Sequence, residues 1–172
     1  MKIILFASMS VNGMIADKNG QEDFLSDTSW KYFVKTVEEH DCLIVGRKAY
    51  EAVQKYSDYN FNDIKTKLKI VISSNNNFQP DSSFVFAKSP EDAIEKATAM
   101  NIDNAVLAGG SMTNSAFIIN NLIDEVVLIV EPVFIGGGIP VFATKEFEKR
   151  LSLTNSQKVD NDILMIKYKI LK

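Results

Sequence analysis

The 172-residue chain contains a single cysteine and a single histidine. Cys42 alone excludes a disulfide within the chain and any cysteine-based metal site. Its place in the run Cys42-Leu43-Ile44-Val45 makes it a small buried hydrophobe. His40 leaves a Ser-His-Asp triad only one possible base, and the charged stretch Val37-Glu38-Glu39-His40-Asp41 reads as a solvated helix end. No apolar run reaches the roughly 18 residues that a membrane-spanning helix needs. Residues 1–7 are short and apolar and lead into polar residues, as a first strand does and a cleaved leader does not. A net charge of -3 gives no concentrated basic face for nucleic acid or an anionic membrane, so any anion site must be local. A cytoplasmic, single-domain protein acting on a small molecule is the expectation, with residues 1–172 forming one domain.

What is present is an alternation of strands and helices. Apolar runs at 2–9, 42–45, 68–73, 83–87, 104–108 and 125–131 have the length of buried strands. Between them, 27–40 carries Trp30, Phe33, Val34 and Val37 at helical spacing, 47–56 is helical in pattern, and 111–121 follows a glycine pair. Ser89-Pro90-Glu91-Asp92 combines a capping residue, a proline at the first helical position and acids in the first turn, which predicts a helix to about residue 100. Residues 57–65 read as a surface loop and 75–77 as a turn. The runs at 151–153 and 163–171 alternate more, as antiparallel edge strands do. The pattern predicts an α/β fold with a mostly parallel sheet covered by helices and finished by an antiparallel hairpin.

Chemistry is concentrated where strands end. In Ala105-Val106-Leu107-Ala108-Gly109-Gly110-Ser111-Met112-Thr113, an apolar strand passes through two glycines into a helix. Residues without Cβ admit a close neighbour, and the free N–H groups of a helix N-terminus attract a phosphate; a tight turn is the alternative. Gly46-Arg47-Lys48 repeats the design with cations at the helix start, where they are unfavourable unless an anion lies between them. Arg47 offers a planar fork for phosphate oxygens and Lys48 a point charge. Ser73-Ser74 places two hydroxyls at a third strand end, as donors or as a turn. Residues 10–16 read as a flexible loop that could close over a cleft, and the three glycines at 136–138 as a turn or a close backbone approach.

The segments Ser8-Met9-Ser10-Val11-Asn12-Gly13-Met14-Ile15-Ala16, Val45-Gly46-Arg47-Lys48-Ala49-Tyr50-Glu51, Leu107-Ala108-Gly109-Gly110 and Leu122-Ile123-Asp124-Glu125, followed by 132–142, resemble the ordered signature of the dihydrofolate reductase-like superfamily. Within it, the chain most resembles the reductase domain of the bifunctional riboflavin-biosynthesis deaminase/reductase. The resemblance implies a three-layer sandwich with NADPH bound across the strand ends, and a homodimer paired through the sheet edge. It implies that Gly109, Gly110, Ser111 and Met112 hold the pyrophosphate, with Thr113 also binding the cofactor. Arg47, with Ser73 or Ser74, would recognise the ribose 2′-phosphate, and Gly46 and Lys48 would also bind the cofactor. Ser10, Asn12 and Gly13 would face the nicotinamide and substrate.

Three departures bear on the substrate and the phosphate contacts. Asn12 stands where the riboflavin branch has an aspartate, Ala108 where it has a glutamate, and Ala49 where it has a threonine. The zinc-binding deaminase half has no counterpart, since the chain has no Cys-x-x-Cys. Asp27 with Trp30 resembles the acid and aromatic pair that anchors the pterin in dihydrofolate reductases, although Asp27 equally suits the start of a helix; Asp23 is a weaker substitute. The expected activity is NADPH-dependent reduction of a pyrimidine- or pterin-like heterocycle, best matched by 5-amino-6-(5-phosphoribosylamino)uracil. A dihydrofolate reductase or another small-molecule reductase on the same fold, and a non-catalytic NADPH-binding protein, are the alternatives.

Overall fold

The computed structural model describes residues 1–144 and 146–171. Ten strands and four helices follow one another in chain order. They are β1 (Lys2–Ser10), β2 (Met14–Asp17), α1 (Asp27–Glu38), β3 (Cys42–Gly46), α2 (Arg47–Val53), β4 (Leu68–Ile72), β5 (Val85–Ala87), α3 (Pro90–Ala99), β6 (Asn104–Leu107), α4 (Ser111–Ile119), β7 (Glu125–Glu131), β8 (Gly138–Pro140), β9 (Leu151–Asp160) and β10 (Ile163–Ile170).

Eight strands form one sheet in the order β5-β4-β3-β6-β1-β7-β10-β9. The pairings from β5 to β7 are all parallel, while β10 runs antiparallel to β7 and β9 antiparallel to β10. The α/β architecture with a terminal antiparallel hairpin is therefore the one the sequence pattern predicts. Alternation along β1 divides the core: Ile3, Leu5 and Ala7 pack with Ala93, Ala97, Phe117 and Ile118 of α3 and α4. Ile4 and Phe6 pack with Phe33, Val37, Tyr50 and Val53 of α1 and α2. Side chains of successive strand residues point to opposite faces, so a strand buried on both faces needs apolar residues at every position, as Cys42 to Val45 supply. Burial pushes the Cys42 thiol up to about 12, so it is an inert core residue. Among the described residues no helix is long and apolar enough to cross a membrane.

The segment expected as a flexible loop is instead built into a second, two-stranded sheet of β2 and β8. Ser10, fully buried, donates its hydroxyl to Asn12 Oδ1 at 2.8 Å and accepts the Met14 N–H at 3.0 Å. Asn12 donates to the Ile135 carbonyl at 2.9 Å and accepts the Ile135 N–H at 3.1 Å, copying a backbone pair. The glycine run therefore makes a close approach as well as a turn: a Cβ on Gly138 would overlap the Ala16 carbonyl oxygen. Four- and three-residue strands are too short to carry a period, and their pairing depends on partners more than a hundred residues apart. Residues 57–65 contain a single 3-10 turn, Phe61–Asp63, and β9 extends seven residues past the expected 151–153 because its exposed positions are polar.

Candidate active site

Strand order places three of the predicted anion-binding junctions side by side. The carboxyl ends of β4, β3 and β6 are adjacent, with Gly46 level with Ile72 and Ile44 level with Leu107. In open α/β sheets this edge is where ligands collect.

The junction after β6 is the most constrained. Gly109 has φ +94°, a left-handed conformation strained for other residues, and the Gly109–Gly110 peptide is cis. Gly109 accepts the Gly46 N–H at 2.5 Å, and a Cβ on Gly46 would overlap Thr113 Oγ1, so the two glycine turns interlock. Helix α4 then begins at Gly110 with no side-chain cap and no acid in its first turn. The Ser111 hydroxyl is buried and without a partner. Asn114 Oδ1 is likewise buried and unpartnered, while its Nδ2 donates to the Val141 carbonyl at 2.8 Å. Thr113 is half-buried on this turn, and Met112 is 63 % exposed.

At the second junction Arg47 bonds both carboxylate oxygens of Glu51, at 2.9 and 3.1 Å, with its guanidinium 5.9 Å from the Phe78 ring centre. Lys48 is exposed. At the third, Ser73 is buried and its hydroxyl accepts the Asn75 N–H at 3.1 Å, forming a turn, while Ser74 is exposed.

Next to the Gly109–Gly110 turn lies a cleft of about 320 Å³. One wall is aromatic. Trp30 packs against Phe33, Tyr59 and Phe61 with ring centres 5.3, 5.2 and 6.0 Å apart. Phe6, Ile15, Ala49, Val53 and Ala108 close it elsewhere. Two carboxylates, Glu22 and Asp23, line the same space. Burial pushes Glu22 up to about 7, so its carboxyl holds a proton well into the neutral range. Tyr56 fixes this corner, accepting the Glu22 N–H at 3.1 Å and donating to Asp23 Oδ1 at 3.3 Å.

Beneath the cleft, Glu131 is buried at the end of β7, level with Ser10 of β1. One of its oxygens accepts the Ser26 N–H at 2.9 Å, the Ser26 hydroxyl at 2.7 Å and the Ser29 hydroxyl at 2.5 Å. Ser26 also caps α1, accepting the Ser29 N–H at 3.2 Å. This cluster fixes the start of α1, and with it Trp30, against the sheet.

The predicted substrate residues divide. Trp30 lines the cleft. Ser10, Asn12 and Gly13 do not line it; they tie down the turn before β2, which presents Ile15 to it. Asp27 also lies outside the lining: it is exposed in the first turn of α1 and accepts the Tyr59 hydroxyl at 2.6 Å. That bond raises the Tyr59 hydroxyl above its ordinary range. Glu22, Ser29 and Glu131 were not anticipated. Glu131 had one legible signal, a carboxylate closing the apolar run Val126-Val127-Leu128-Ile129-Val130. Glu22 had none, because it lies in an aperiodic segment.

The RibD C-terminal domain family model matches residues 1–165. The chain belongs to this family. Among the relatives of this RibD-type domain are two Bacillus subtilis proteins of uncharacterised function. YwjB is 27 % identical over 163 residues, covering 91 % of each chain, and YyaP is 24 % identical over 179 residues. A riboflavin biosynthesis protein from Shewanella sp. PV-4 superposes over 100 % of both chains with a TM-score of 0.81 and 25 % identity. Acinetobacter baumannii RibD matches 99 % of the domain with a TM-score of 0.79 and 14 % identity, the match covering 58 % of that longer chain. Dihydrofolate reductase from Enterococcus faecalis, solved with NADP(H), matches 99 % of the domain with a TM-score of 0.75 and 17 % identity. The fold is thus that of the dihydrofolate reductase-like group, as the sequence resemblance implied.

Proposed function

We propose that this domain is an NADPH-dependent reductase of a flat pyrimidine- or pterin-like heterocycle. The observation that carries the reading is the bare start of α4. Its free N–H groups and the partnerless Ser111 hydroxyl sit behind a Gly109–Gly110 turn that opens onto an aromatic cleft. Buried polar atoms are ordinarily satisfied, and an anion at a helix N-terminus satisfies several donors at once. The residues present therefore fit the cofactor. Gly109, Gly110, Ser111, Met112 and Thr113 would hold its pyrophosphate. Arg47, Lys48, Ser73 and Ser74, beside Gly46, would take the 2′-phosphate.

When bound, NADPH supplies the hydride. The remaining work belongs to the chain. Trp30 and Phe61 exclude water and stack the heterocycle, and the Ser26, Ser29 and Glu131 cluster keeps Trp30 in place. Glu22 rather than Asp27 supplies the proton, because Glu22 lines the cleft and Asp27 holds Tyr59 at its rim. Ser10, Asn12 and Gly13 act through the wall they secure. Family membership makes 5-amino-6-(5-phosphoribosylamino)uracil the reference substrate. The likeness to a dihydrofolate reductase over nearly its whole length supports that activity as the second reading. The proposal includes a cytoplasmic homodimer paired through β9, whose outer edge is unpaired among the described residues and whose Leu151 and Leu153 are exposed.

Calorimetric titration tests the cofactor. NADPH is expected to bind, and Arg47→Ala to weaken NADPH at least about tenfold more than NADH. Equal loss for both removes the 2′-phosphate role from Arg47, and absence of NADPH binding overturns the reading.

A further inference from the structure

Arg47 is the only guanidinium at the carboxyl edge of β4, β3 and β6, since Arg150, the chain's other arginine, lies just before β9. Two neighbours hold it. Its Nη1 donates to both carboxylate oxygens of Glu51, one helical turn along α2, at 2.9 and 3.1 Å. The ring of Phe78, in the link between β4 and β5, lies against the guanidinium with its centre 5.9 Å away. Tyr50 of α2 fixes that link in turn. Its ring centre is 6.0 Å from that of Phe78, and its hydroxyl accepts the Asp81 N–H at 3.0 Å. Among the described residues the Arg47 Nε and Nη2 have no hydrogen-bond partner, and together they form one complete fork for two oxygens of a phosphate. The guanidinium is therefore oriented, but it comes paired with a carboxylate, and the pair carries no net charge.

From this pair we infer that Glu51 sets the cofactor preference of the domain: its carboxylate works against the 2′-phosphate and narrows the gap between NADPH and NADH. The inference rests on the reductase reading for the presence of a dinucleotide and adds a specificity-determining residue to its site. Glu51 has two opposed effects. By holding Nη1 it saves part of the rotamer freedom that Arg47 would lose on binding. By its charge it repels a phosphate that bonds the same guanidinium and carries nearly two negative charges. The second effect is the larger. An i,i+4 pair with side chains 34 % and 43 % exposed contributes little on its own, and Phe78 orients the guanidinium without help from the carboxylate. The repulsion acts across the breadth of one guanidinium, well inside the distance over which physiological salt screens charge. NADH lacks the 2′-phosphate and escapes it.

Calorimetric titration of NADPH and NADH into the free protein tests this, because the two differ by the 2′-phosphate alone. Glu51→Gln removes the charge and keeps an oxygen that accepts from Nη1. It is expected to tighten NADPH at least about threefold while NADH stays within about twofold. The same change made in Arg47→Ala, where no guanidinium answers the carboxylate, should tighten NADPH more, at least about fivefold. Raising the salt to about 1 M should erase both gains. A residue that only supports Arg47 behaves otherwise: Glu51→Gln then weakens NADPH and has no effect in the Arg47→Ala background. That outcome, unchanged NADPH affinity, equal shifts for the two dinucleotides, or a gain that survives high salt overturns the inference. If the unaltered chain binds NADPH and only these differences fail, the reductase reading stands; if it binds neither dinucleotide, both fall.

Discussion

Helices α3 and α4 pack on the same face of the sheet, yet their first turns are built in opposite ways. Helix α3 is closed by its own sequence. Ser89 accepts the Asp92 N–H at 3.1 Å, Pro90 occupies a position that needs no donor, and Asp92 accepts the Lys88 N–H at 2.8 Å. The Lys96 ammonium, bonded to both oxygens, holds the Asp92 carboxyl below its usual range, with the Lys88 N–H adding to the effect. Helix α4 has no cap, no acid and an orphaned hydroxyl. Beside it Glu22 is displaced in the other direction, pushed up by burial. One end of this face settles its polar groups internally. The other leaves donors unpaired and a carboxyl protonated, which costs stability and provides places for a ligand.

The strongest way to break the contrast is to give α4 the first-turn acid it lacks. Ser111→Asp puts a carboxylate at the first turn, which favours the isolated helix by about 0.5 kcal/mol but meets the cofactor's phosphates. Calorimetry should register at least about a hundredfold loss of NADPH affinity, with thermal stability of the free protein unchanged or slightly raised. A fall in stability without a fall in affinity would show that α4 does not face an anion.

A smaller effect separates the two carboxyls. Since the Glu22 carboxyl titrates at about 7 in the folded state against an ordinary 4.5, the native chain binds the extra proton between those values. Its contribution is therefore fully present below about pH 4.5 and is lost as pH rises toward 7. Glu22→Gln removes that loss. At pH 8 it should stabilise the free protein by about 1–2 kcal/mol, less than the full shift would give because the residue is only partly shielded from solvent. Urea denaturation at pH 5 and pH 8 checks this, and an advantage no larger at pH 8 than at pH 5 would place Glu22 in water.

Smallest is the change at the self-sufficient end. Removing the cap by Ser89→Ala should destabilise the fold by about 1 kcal/mol in the same denaturation experiment, with no change in NADPH affinity. Any linked loss of binding would mean that the two helix starts are coupled.

Most of the element order was legible because the strands are buried on both faces and the helices carry strong local signals. Ser89-Pro90 is one such signal, and Gly109-Gly110 between an apolar strand and a helix is another. The β2–β8 pair was not legible, since its strands are too short for a period and depend on Asn12 reaching Ile135 across the fold. The same division runs through the site. Its phosphate-facing half is local, a strand, a glycine and a helix start within a few residues, so sequence order suffices to find it. Its substrate half is assembled from β1, β2, the segment before α1, α1 itself, α2 with the residues that follow it, and α4.

What the amino-acid order determined by itself is the alternating α/β pattern, the family, and the glycines that leave a helix end open. Tertiary structure alone decided that Glu22, and not Asp27, lines the cleft. It also decided that Glu131 gathers Ser26 and Ser29, and that two carboxyls and, among the described residues, no cation line the cleft. The reason is physical. Local conformation depends on neighbours in sequence, whereas burial, the partner of a hydroxyl proton and the pKa of a carboxyl depend on groups that only folding brings together.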